Sequence, residues 1–368
     1  MTLDHGFEAV VRGDRGVGVR DSVLVLPSVI CSRIVADRIA EAVPGAVSVP
    51  HDHGCAQIGD DKAQTHRAFL GVGSNPNVAG TVVVGLGCES IQSDEVAADL
   101  AEMGVPVRET AIQDAGGTEA TVEAGVQAVT ELREGERTGA QRTAEWADLT
   151  VGVVSGDCSP STRERADPLV GEVVDRLAHA GARVLMAGSE RAVAHPDATA
   201  SRAADDDVAS AVRALLDRHR GVPARASRVG QEARDKEFEA VTGAWGDQPI
   251  RAVYPYGERA AHEDGLALVD APSRFEEAAT GLVAAGAQVV IHVTGDGVPT
   301  GHPVAPVLKV SADDATLAAV GDDVDVDART ARPADLLERL ASVADGRRVR
   351  AEEHGLTSSA ITRVGPSM

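Results

Sequence analysis

Imidazole and thiol side chains are concentrated in one stretch of the chain, residues 50–90. His51, His53 and Cys55 alternate there, so in an extended segment all three project from the same face. Cys88 lies further on, in the segment Gly-Leu-Gly-Cys-Glu that follows an apolar, strand-like run. Imidazole nitrogens and thiolate sulfurs are ligands of soft or borderline metals such as iron and zinc. These four residues are therefore candidate metal ligands.

Three loops share one design, because each follows an apolar segment and combines glycine with polar or ionisable side chains. They cover residues 85–90, 155–161 and 294–300. In open parallel sheets the ligand crevice lies beyond the carboxyl ends of the strands, where loops offer backbone N–H groups to anionic ligands. The alternative is that glycine only makes tight turns there. The candidates for catalysis or substrate binding in these loops are Gly85, Gly87, Glu89, Asp157, Cys158, Thr294 and Gly295.

Two further residues, His302 and Lys309, are candidates for substrate binding. His302 follows the third loop and could line the crevice. Lys309 ends an apolar run, where its ammonium could meet a carboxylate substrate or form a surface salt bridge. His292, inside a predicted strand, is interpreted as a hydrogen-bonded core residue. The acidic run at 322–327 could hold a hard cation or form a solvated turn.

The composition predicts a folded, strongly acidic protein. The 368 residues are enough for two domains, and the formal net charge is −22. This charge argues against nucleic-acid binding, which needs a basic patch. No apolar run is long enough to cross a bilayer, and residues 1–20 contain no signal-peptide pattern, so we expect a cytoplasmic protein. We interpret the acidity as adaptation to a high-salt cytoplasm, hence as halophilic.

The four cysteines are expected to be ligands, catalytic groups or small core residues rather than disulfides, because the cytoplasm is reducing. Cys55, Cys88 and Cys158 have glycine or polar neighbours, which favours ligation or reactivity. Cys31 lies just past a strand and is ambiguous.

Strand-like and helix-like segments alternate along the chain, which is typical of parallel sheets. We predict an α/β fold with two successive Rossmann-like parallel-sheet units and helical crossovers. The polar run 134–143 is the best domain boundary. The predicted domains are 1–140 with the His/Cys cluster, 141–330, and a C-terminal helix and tail at 331–368. Predicted strands cover 22–26, 46–49, 81–84, 105–111, 149–154, 184–187 and 288–293; predicted helices cover 33–42, 62–70, 94–103, 118–133, 168–180, 208–219, 275–285 and 333–343.

Several segments together resemble the altronate dehydratase / galactarate dehydratase family of sugar-acid dehydratases. The closest match is Gly-Leu-Gly-Cys-Glu at 85–89, and all four cysteines fall where the family also has cysteine. Two loops differ from the family: residues 156–161 keep the cysteine of Lys-Cys-Gly-Gly-Ser-Asp but lose the lysine and both glycines, and Asp296 replaces an arginine. Further similar segments are 16–21, 26–32, 52–56, 75–78 (Asn-Pro-Asn-Val), 265–272, 294–297, 305–310 and 322–327.

The resemblance implies a metal-dependent hydro-lyase that converts a sugar acid to a 2-keto-3-deoxy acid, with Fe²⁺ or Mn²⁺ as the cofactor. It also implies a separate small subunit, because long family members carry an additional N-terminal domain, and we expect an oligomer. In this interpretation His53, Cys55 and Cys88 contact the metal, with His51 in or next to its coordination shell. Glu89 and Asp157 serve as acid or base, with Cys158 a further catalytic residue. Substrate contacts are assigned to Gly85, Gly87, Thr294, Gly295, His302 and Lys309.

Three alternatives stay open. The first is the large subunit of a sulfolactate sulfo-lyase, whose products are pyruvate and sulfite rather than a keto-deoxy acid. The second is a non-catalytic paralogue that binds a small acid. The third is an iron–sulfur dehydratase, which the visible absorbance of anaerobically purified protein would distinguish.

Overall fold

The computed structural model describes residues 6–136, 140–219 and 227–364, which form three sheets flanked by helices. The strands are β1 (Phe7–Val11), β2 (Val17–Gly18), β3 (Ser22–Pro27), β4 (Ala46–Ser48), β5 (Val78–Gly85), β6 (Val107–Ala111), β7 (Gln141–Ala144), β8 (Thr150–Ser155), β9 (Arg183–Met186), β10 (Ile250–Tyr254), β11 (Gly265–Val269), β12 (Val289–Val293), β13 (Val307–Ser311) and β14 (Val326–Asp327). The α-helices are α1 (Arg33–Ala42), α2 (Gly59–Gly73), α3 (Ser93–Glu102), α4 (Thr118–Glu136), α5 (Asp167–His179), α6 (Ser189–Ala194), α7 (Pro196–Ser201), α8 (Asp206–Arg218), α9 (Arg228–Arg234), α10 (Phe238–Val241), α11 (Phe275–Ala284), α12 (Asp314–Val320), α13 (Pro333–Ala344) and α14 (Arg350–His354). None of the helices in these ranges is both long and apolar enough to cross a membrane.

The first parallel sheet has the strand order β4-β3-β5-β6. Its central strands β3 and β5 are buried on both faces, because their side chains alternate between two cores. Val23 and Val25 pack with α1 and α4, whereas Leu24 and Leu26 belong to a core shared with the second sheet. The strand order reverses between β3 and β5, and we call this place the first reversal point.

The second parallel sheet has the order β10-β11-β9-β8-β12-β13-β14. From β8 the chain forms β9 next to it, then β10 at the edge of the sheet, and then β11 between β9 and β10. It returns to the other side of β8 with β12. The order therefore reverses between β8 and β12, which we call the second reversal point. Both sheets are parallel throughout, and the predicted α/β fold with helical crossovers is confirmed.

The third sheet is small and antiparallel, and the sequence patterns did not predict it. β1 pairs with both β2 and β7, so a segment next to the N-terminus meets one from the predicted boundary. Phe7 and Ala9 are buried against the second unit's core, whereas Glu8 is exposed. The strands of the first parallel sheet precede residue 140 in the chain, and those of the second follow it. The domain bounds themselves stay a prediction.

The two units are joined through buried asparagines at 75 and 77. Asn77 accepts hydrogen bonds from Val19 N (2.9 Å) and Arg20 N, and it donates to Gln288 O (2.8 Å) and Val304 O. Asn75 donates to Val283 O and Ala287 O. The Asn-Pro-Asn-Val segment therefore connects the amino end of β5 to the second unit.

The C-terminal tail crosses back over the first unit. Ser359 Oγ donates to Pro50 O at 2.7 Å, and Ile361 O lies 2.8 Å from His53 Nε2. Gln64 Nε2 donates to Thr362 O at 2.7 Å. The tail thus reaches the carboxyl edge of the first sheet.

Candidate functional site

Glu89 lies at the first reversal point. Its carboxylate accepts hydrogen bonds from Ser28 Oγ (2.8 Å), Gly87 N (2.6 Å) and Leu86 N (3.1 Å). Burial alone would raise the pKa of this carboxyl, but hydrogen bonds from its own backbone, Ser28, Gly87 and Leu86 hold it below the ordinary value. An ionised carboxylate with this many donors is a weak proton acceptor. The contacts support a role in fastening the loops after β3 and β5, and its catalytic role stays a prediction.

Asp157 occupies the equivalent place at the second reversal point. Its Oδ2 accepts Gly295 N (2.6 Å) from the loop after β12, and its Oδ1 accepts Ser159 N (2.8 Å). Burial would raise the pKa of Asp157, but the bonds from Ser159 and Gly295 hold it below its ordinary value. A Cβ added at Gly295 would lie 2.9 Å from Asp157 Oδ2, so the close approach requires glycine. Thr294 closes the turn, because its Oγ1 accepts Gly297 N (3.0 Å).

The structure therefore brings Asp157, Thr294 and Gly295 together where ligands bind open α/β sheets, outside the carboxyl ends at a switch in strand order. Glu89, Gly85 and Gly87 have the corresponding position in the first sheet, since β5 ends at Gly85. Each parallel sheet thus has a carboxylate that ties its two central loops together. These carboxylates organise the two edges at which chemistry can take place.

Cys158 has the surroundings of a core residue. It is buried with Val229, Ala233 and Val241, and its Sγ is 4.0 Å from Val229 O. Burial raises the pKa of the thiol, whereas a reactive cysteine needs a lowered one. The structure therefore counts against the predicted catalytic role of Cys158, which had rested on its polar sequence neighbours.

The ring nitrogens of His51 and His53 all have protein partners. His51 Nε2 lies 2.6 Å from Pro27 O, and its Nδ1 accepts His53 N. His53 pairs with Ile361 O through Nε2 and with Gln57 through Nδ1 (2.9 Å). Burial lowers the pKa of both imidazoles, that of His51 to about 4. They are neutral near pH 7, but neither has a nitrogen free for a metal.

The predicted metal set does not converge in the structure. Within the described ranges, no group of three or more His, Cys, Asp or Glu side chains is arranged to hold a metal ion. Cys55 and Cys88 are exposed, whereas His51 and His53 are buried and hydrogen-bonded. The four residues as a set therefore do not fit a single Fe²⁺ or Mn²⁺ ion in this arrangement, and their ligand role stays a prediction.

Lys309 is a buried cation on the central part of β13. Its side chain is only 1% exposed, and across the ranges the structure describes its Nζ has no hydrogen-bond partner. Burial lowers its pKa to about 8, with Asp325 and Asp323 acting in the opposite direction. Of the two sequence interpretations, the surface salt bridge is wrong. The interpretation as a contact to a carboxylate substrate stays a prediction.

His292 is the neighbour of Lys309 in the strand register. Its ring stacks on Phe275, with centroids 4.3 Å apart. Its Nδ1 is buried with no partner among the described residues, so the interpretation as a satisfied core histidine is wrong. Burial, reinforced by the charge of Lys309, lowers its pKa to about 3. A Cβ at Gly156 would lie 3.1 Å from His292 Nε2, which places the ring at the end of β8.

His302 is also buried, and its Nδ1 accepts Val304 N at 3.2 Å. Within the described part of the chain its Nε2 has no partner, and burial lowers its pKa to about 3. In the acidic run Asp322 is exposed, as in a solvated turn, but Asp325 is not. Asp325 has a buried carboxylate that accepts Lys309 N (3.0 Å) and Arg339 Nη2 (2.8 Å), so it supports β13.

Acidification from pH 7 to pH 5 is expected to destabilise the protein, because three buried histidines stay neutral in the folded state. His51, His292 and His302 have pKa values of about 4, 3 and 3, below the unfolded value of 6.5. Their stabilising contribution is present above pH 6.5 and is lost as pH falls toward those values, by about 2 kcal/mol each at pH 5. Burial raises the pKa of Asp167 to about 7, so its destabilising effect shrinks as the pH falls from 7 to 5. This gain offsets the loss from about one histidine.

We therefore expect the free energy of unfolding, measured by urea titration, to fall by about 4 kcal/mol between pH 7 and pH 5. The variant His302→Gln should lose about 2 kcal/mol less over this interval. The control His179→Gln, at an exposed position, should follow the wild type. A pH-independent unfolding midpoint would contradict the assignment of buried neutral histidines.

Comparisons with known proteins identify the family of the chain. A model of the second domain of D-galactarate dehydratase/altronate hydrolase matches residues 9–136, and one of the C-terminal region of D-galactarate/altronate dehydratase matches residues 239–367. The (2R)-sulfolactate sulfo-lyase subunit beta of Chromohalobacter salexigens is 27% identical over 96% of both chains. Altronate dehydratases of Bacillus subtilis and Escherichia coli are 24% and 25% identical, covering 98% and 100% of this chain and 78% and 80% of their own. The predicted class, a carbon–oxygen lyase, is confirmed, and the chain belongs to the galactarate/altronate dehydratase family.

Proposed function

We propose that the chain dehydrates a sugar acid to a 2-keto-3-deoxy acid by β-elimination, with its substrate carboxylate bound to Lys309. The observation that carries the proposal is the buried ammonium of Lys309, which has no partner in the described ranges. Leaving a charged group buried and unpaired is costly, and a protein retains it where a ligand supplies the counter-charge. A small hydroxy acid carries such a charge at every pH near neutrality.

The same ammonium serves the reaction as well as binding. When the proton α to the carboxylate leaves, negative charge moves onto the carboxylate oxygens, and a fixed cation stabilises that charge more in the transition state than in the substrate. Next to it His292 offers a neutral imidazole whose Nδ1, without a partner in the described ranges, can hydrogen-bond the substrate. Asp157 and Gly295 hold the loops around this position. We assign no step to a metal ion, because the predicted ligands do not converge.

A second candidate is the release of sulfite from sulfolactate. It is supported by length: this chain and the sulfo-lyase subunit beta match over 96% of each, whereas the altronate dehydratases match over only 78% and 80% of their length. The elimination chemistry is the same except that sulfite leaves in place of hydroxide. The name of that relative also supports our proposal that a separate small subunit completes the enzyme.

The two candidates are separated by their products. The full chain would be incubated with altronate, galactarate and (2R)-sulfolactate, and 2-keto-3-deoxy acid, pyruvate and sulfite would be measured. We expect a keto-deoxy acid from one of the sugar acids; pyruvate with equimolar sulfite would establish the second candidate instead. Ligand binding is followed in parallel by the shift in Tm, so a missing subunit does not hide the result. No product and no shift with any of the three acids would contradict the proposal.

A further inference from the structure

A polar cavity lies at the amino ends of the strands of the second sheet. Thr150, the first residue of β8, and Arg183, the first residue of β9, both line it. Its volume is about 300 Å³, which includes space open to solvent. Pro76 of the first unit lines it as well, so the cavity lies between the two units. Asp157 follows the carboxyl end of β8, and the cavity is therefore separate from the candidate site.

Two arginines that line this cavity, Arg183 and Arg259, contact neutral oxygens. Arg183 donates from Nε to His262 O (2.7 Å) and from Nη1 to Thr150 Oγ1 (3.3 Å). Arg259 donates from Nη2 to Arg15 O (2.6 Å) and from Nη1 to a second carbonyl. Among the residues that the structure describes, neither guanidinium pairs with a carboxylate. Both side chains thus bring a positive charge to the cavity without a negative partner there.

These two charges are half-buried and act on each other. Burial lowers the pKa of Arg259, and the charge of Arg183 lowers it further. The chain has 57 acidic and 35 basic residues, so carboxylates are abundant as partners. Arg20, which is also half-buried, does meet one, because its Nε lies 2.7 Å from Glu352 Oε1. Like charges held together without a counter-charge are costly, and a bound anion would offset that cost.

One carboxylate, that of Asp148, also lines the cavity, but its oxygens have other partners. Arg142 Nη2 donates to its Oδ1 (2.7 Å), and Glu145 N donates to its Oδ2 (2.9 Å). Burial would raise the pKa of Asp148, whereas these two bonds and, less strongly, the charge of Arg183 hold it below its ordinary value. The charge of Asp148 is therefore balanced mainly by Arg142.

We propose that this cavity binds a doubly charged oxyanion of the phosphate type. A guanidinium presents a planar fork of N–H donors that matches the oxygens of phosphate. Phosphate carries nearly two negative charges near pH 7, which matches the two charges of Arg183 and Arg259, whereas acetate and chloride carry one. The ligand is free phosphate or the phosphate group of a phosphorylated metabolite. This inference does not depend on the proposed function.

A phosphate bound there would strengthen the contact between the two units. Arg259 lies in the connection between β10 and β11, yet it donates to Arg15 O. Arg15 in turn donates to Val78 O, on the first residue of β5 (2.9 Å). An anion that fixes Arg259 therefore also fixes this contact. Because the anion binds only the folded chain, it raises the stability in proportion to its concentration and affinity.

The test uses the full chain, purified without phosphate or sulfate. Tm is measured against sodium phosphate, with sodium chloride at the same ionic strength as the reference, and calorimetry gives the Kd. We expect a rise of about 3 °C beyond chloride when phosphate is at about 100 times its Kd. Arg183→Gln and Arg259→Gln should each weaken binding at least about tenfold. Arg213→Gln, at an exposed position on α8, is the matched control and should bind like the wild type.

A second pair of variants keeps both arginines. Ala260 also lines the cavity, so Ala260→Glu would place a carboxylate there, and Ala260→Gln is its neutral match. Without phosphate we expect Ala260→Glu to have a higher Tm than Ala260→Gln, because the new carboxylate supplies the counter-charge. Phosphate should then raise the Tm of Ala260→Gln but no longer that of Ala260→Glu. This comparison holds even if an arginine variant fails to fold.

Glycerol 3-phosphate distinguishes the two sources of the ligand. Tighter binding than that of inorganic phosphate would support a phosphorylated metabolite, and equal or weaker binding would support free phosphate. A phosphate effect no larger than that of chloride would overturn the proposal. So would an effect that persists unchanged in Arg183→Gln, Arg259→Gln and Ala260→Glu. Loss of the effect in Lys309→Met would place the anion at the opposite edge of the sheet and would overturn the proposal too.

Discussion

Replacing Lys309 by methionine is expected to stabilise the protein and to abolish its turnover. The pKa of Lys309 is lowered from 10.5 to about 8 because the charged form is buried. Below pH 8 the group is protonated in both states, so the folded protein carries the full penalty, about 3 kcal/mol. The penalty fades as pH rises from about 8 toward the unfolded pKa. Methionine fills a similar volume without a charge, so the free energy of unfolding at pH 7 should rise by about 2 kcal/mol.

Turnover by Lys309→Met is expected to fall by at least about 100-fold, because a preorganised positive group is removed from the position of the developing charge. Urea unfolding and steady-state kinetics measure the two effects on the same preparation. Lys236→Met is the matched control, since that side chain is exposed, and it should change neither quantity. A destabilised Lys309→Met protein would mean that the ammonium has a partner in the folded state. Retained turnover would remove Lys309 from the site.

Replacing Asn77 by alanine is expected to cost about 4 kcal/mol in the free energy of unfolding. The side chain is fully buried and has four backbone partners. Alanine leaves two N–H groups and two carbonyls without partners, and each unsatisfied buried group costs about 1–3 kcal/mol before relaxation and water offset part of it. Urea unfolding followed by circular dichroism measures the change.

The partners of Asn77 lie on both units, so this variant should also lower the cooperativity between them. We expect a broader unfolding transition, or two transitions, where the wild type shows one. Gln127→Ala is the control, because Gln127 is exposed and only donates to the exposed Glu131. If the free energy of unfolding falls by no more than about 1 kcal/mol beyond the control, other contacts hold the two units together.

The sequence was sufficient to predict the elements whose signals are local. The helix at Arg33–Ala42 was predicted with its observed bounds, because apolar positions at helical spacing act within one segment. The alternation of apolar strands and helices along the chain was enough to predict the parallel sheets. The antiparallel sheet was missed, because β1 and β7 are short and pair across more than a hundred residues. Nothing in either segment alone indicates its partner.

The sequence predicted which loops form the candidate site better than it predicted the surroundings of single side chains. Asp157, Thr294 and Gly295 do meet, since loops after parallel strands are gathered at one edge whatever their length. The burial of a cysteine, in contrast, is decided by segments distant in sequence. Residues 229–241 cover Cys158, whereas no such cover reaches Cys31. His292 was missed because a strand histidine looks the same in sequence whether or not its ring nitrogens find partners.

The crossing of the C-terminal tail has a consequence for how the chain is made. The loop with His51 and His53 is synthesised long before residues 359 and 361, which supply its last hydrogen bonds. A nascent chain can therefore form its first sheet early, but this edge is finished only after residue 361 has left the ribosome. A product that terminates before residue 359 cannot assemble the edge.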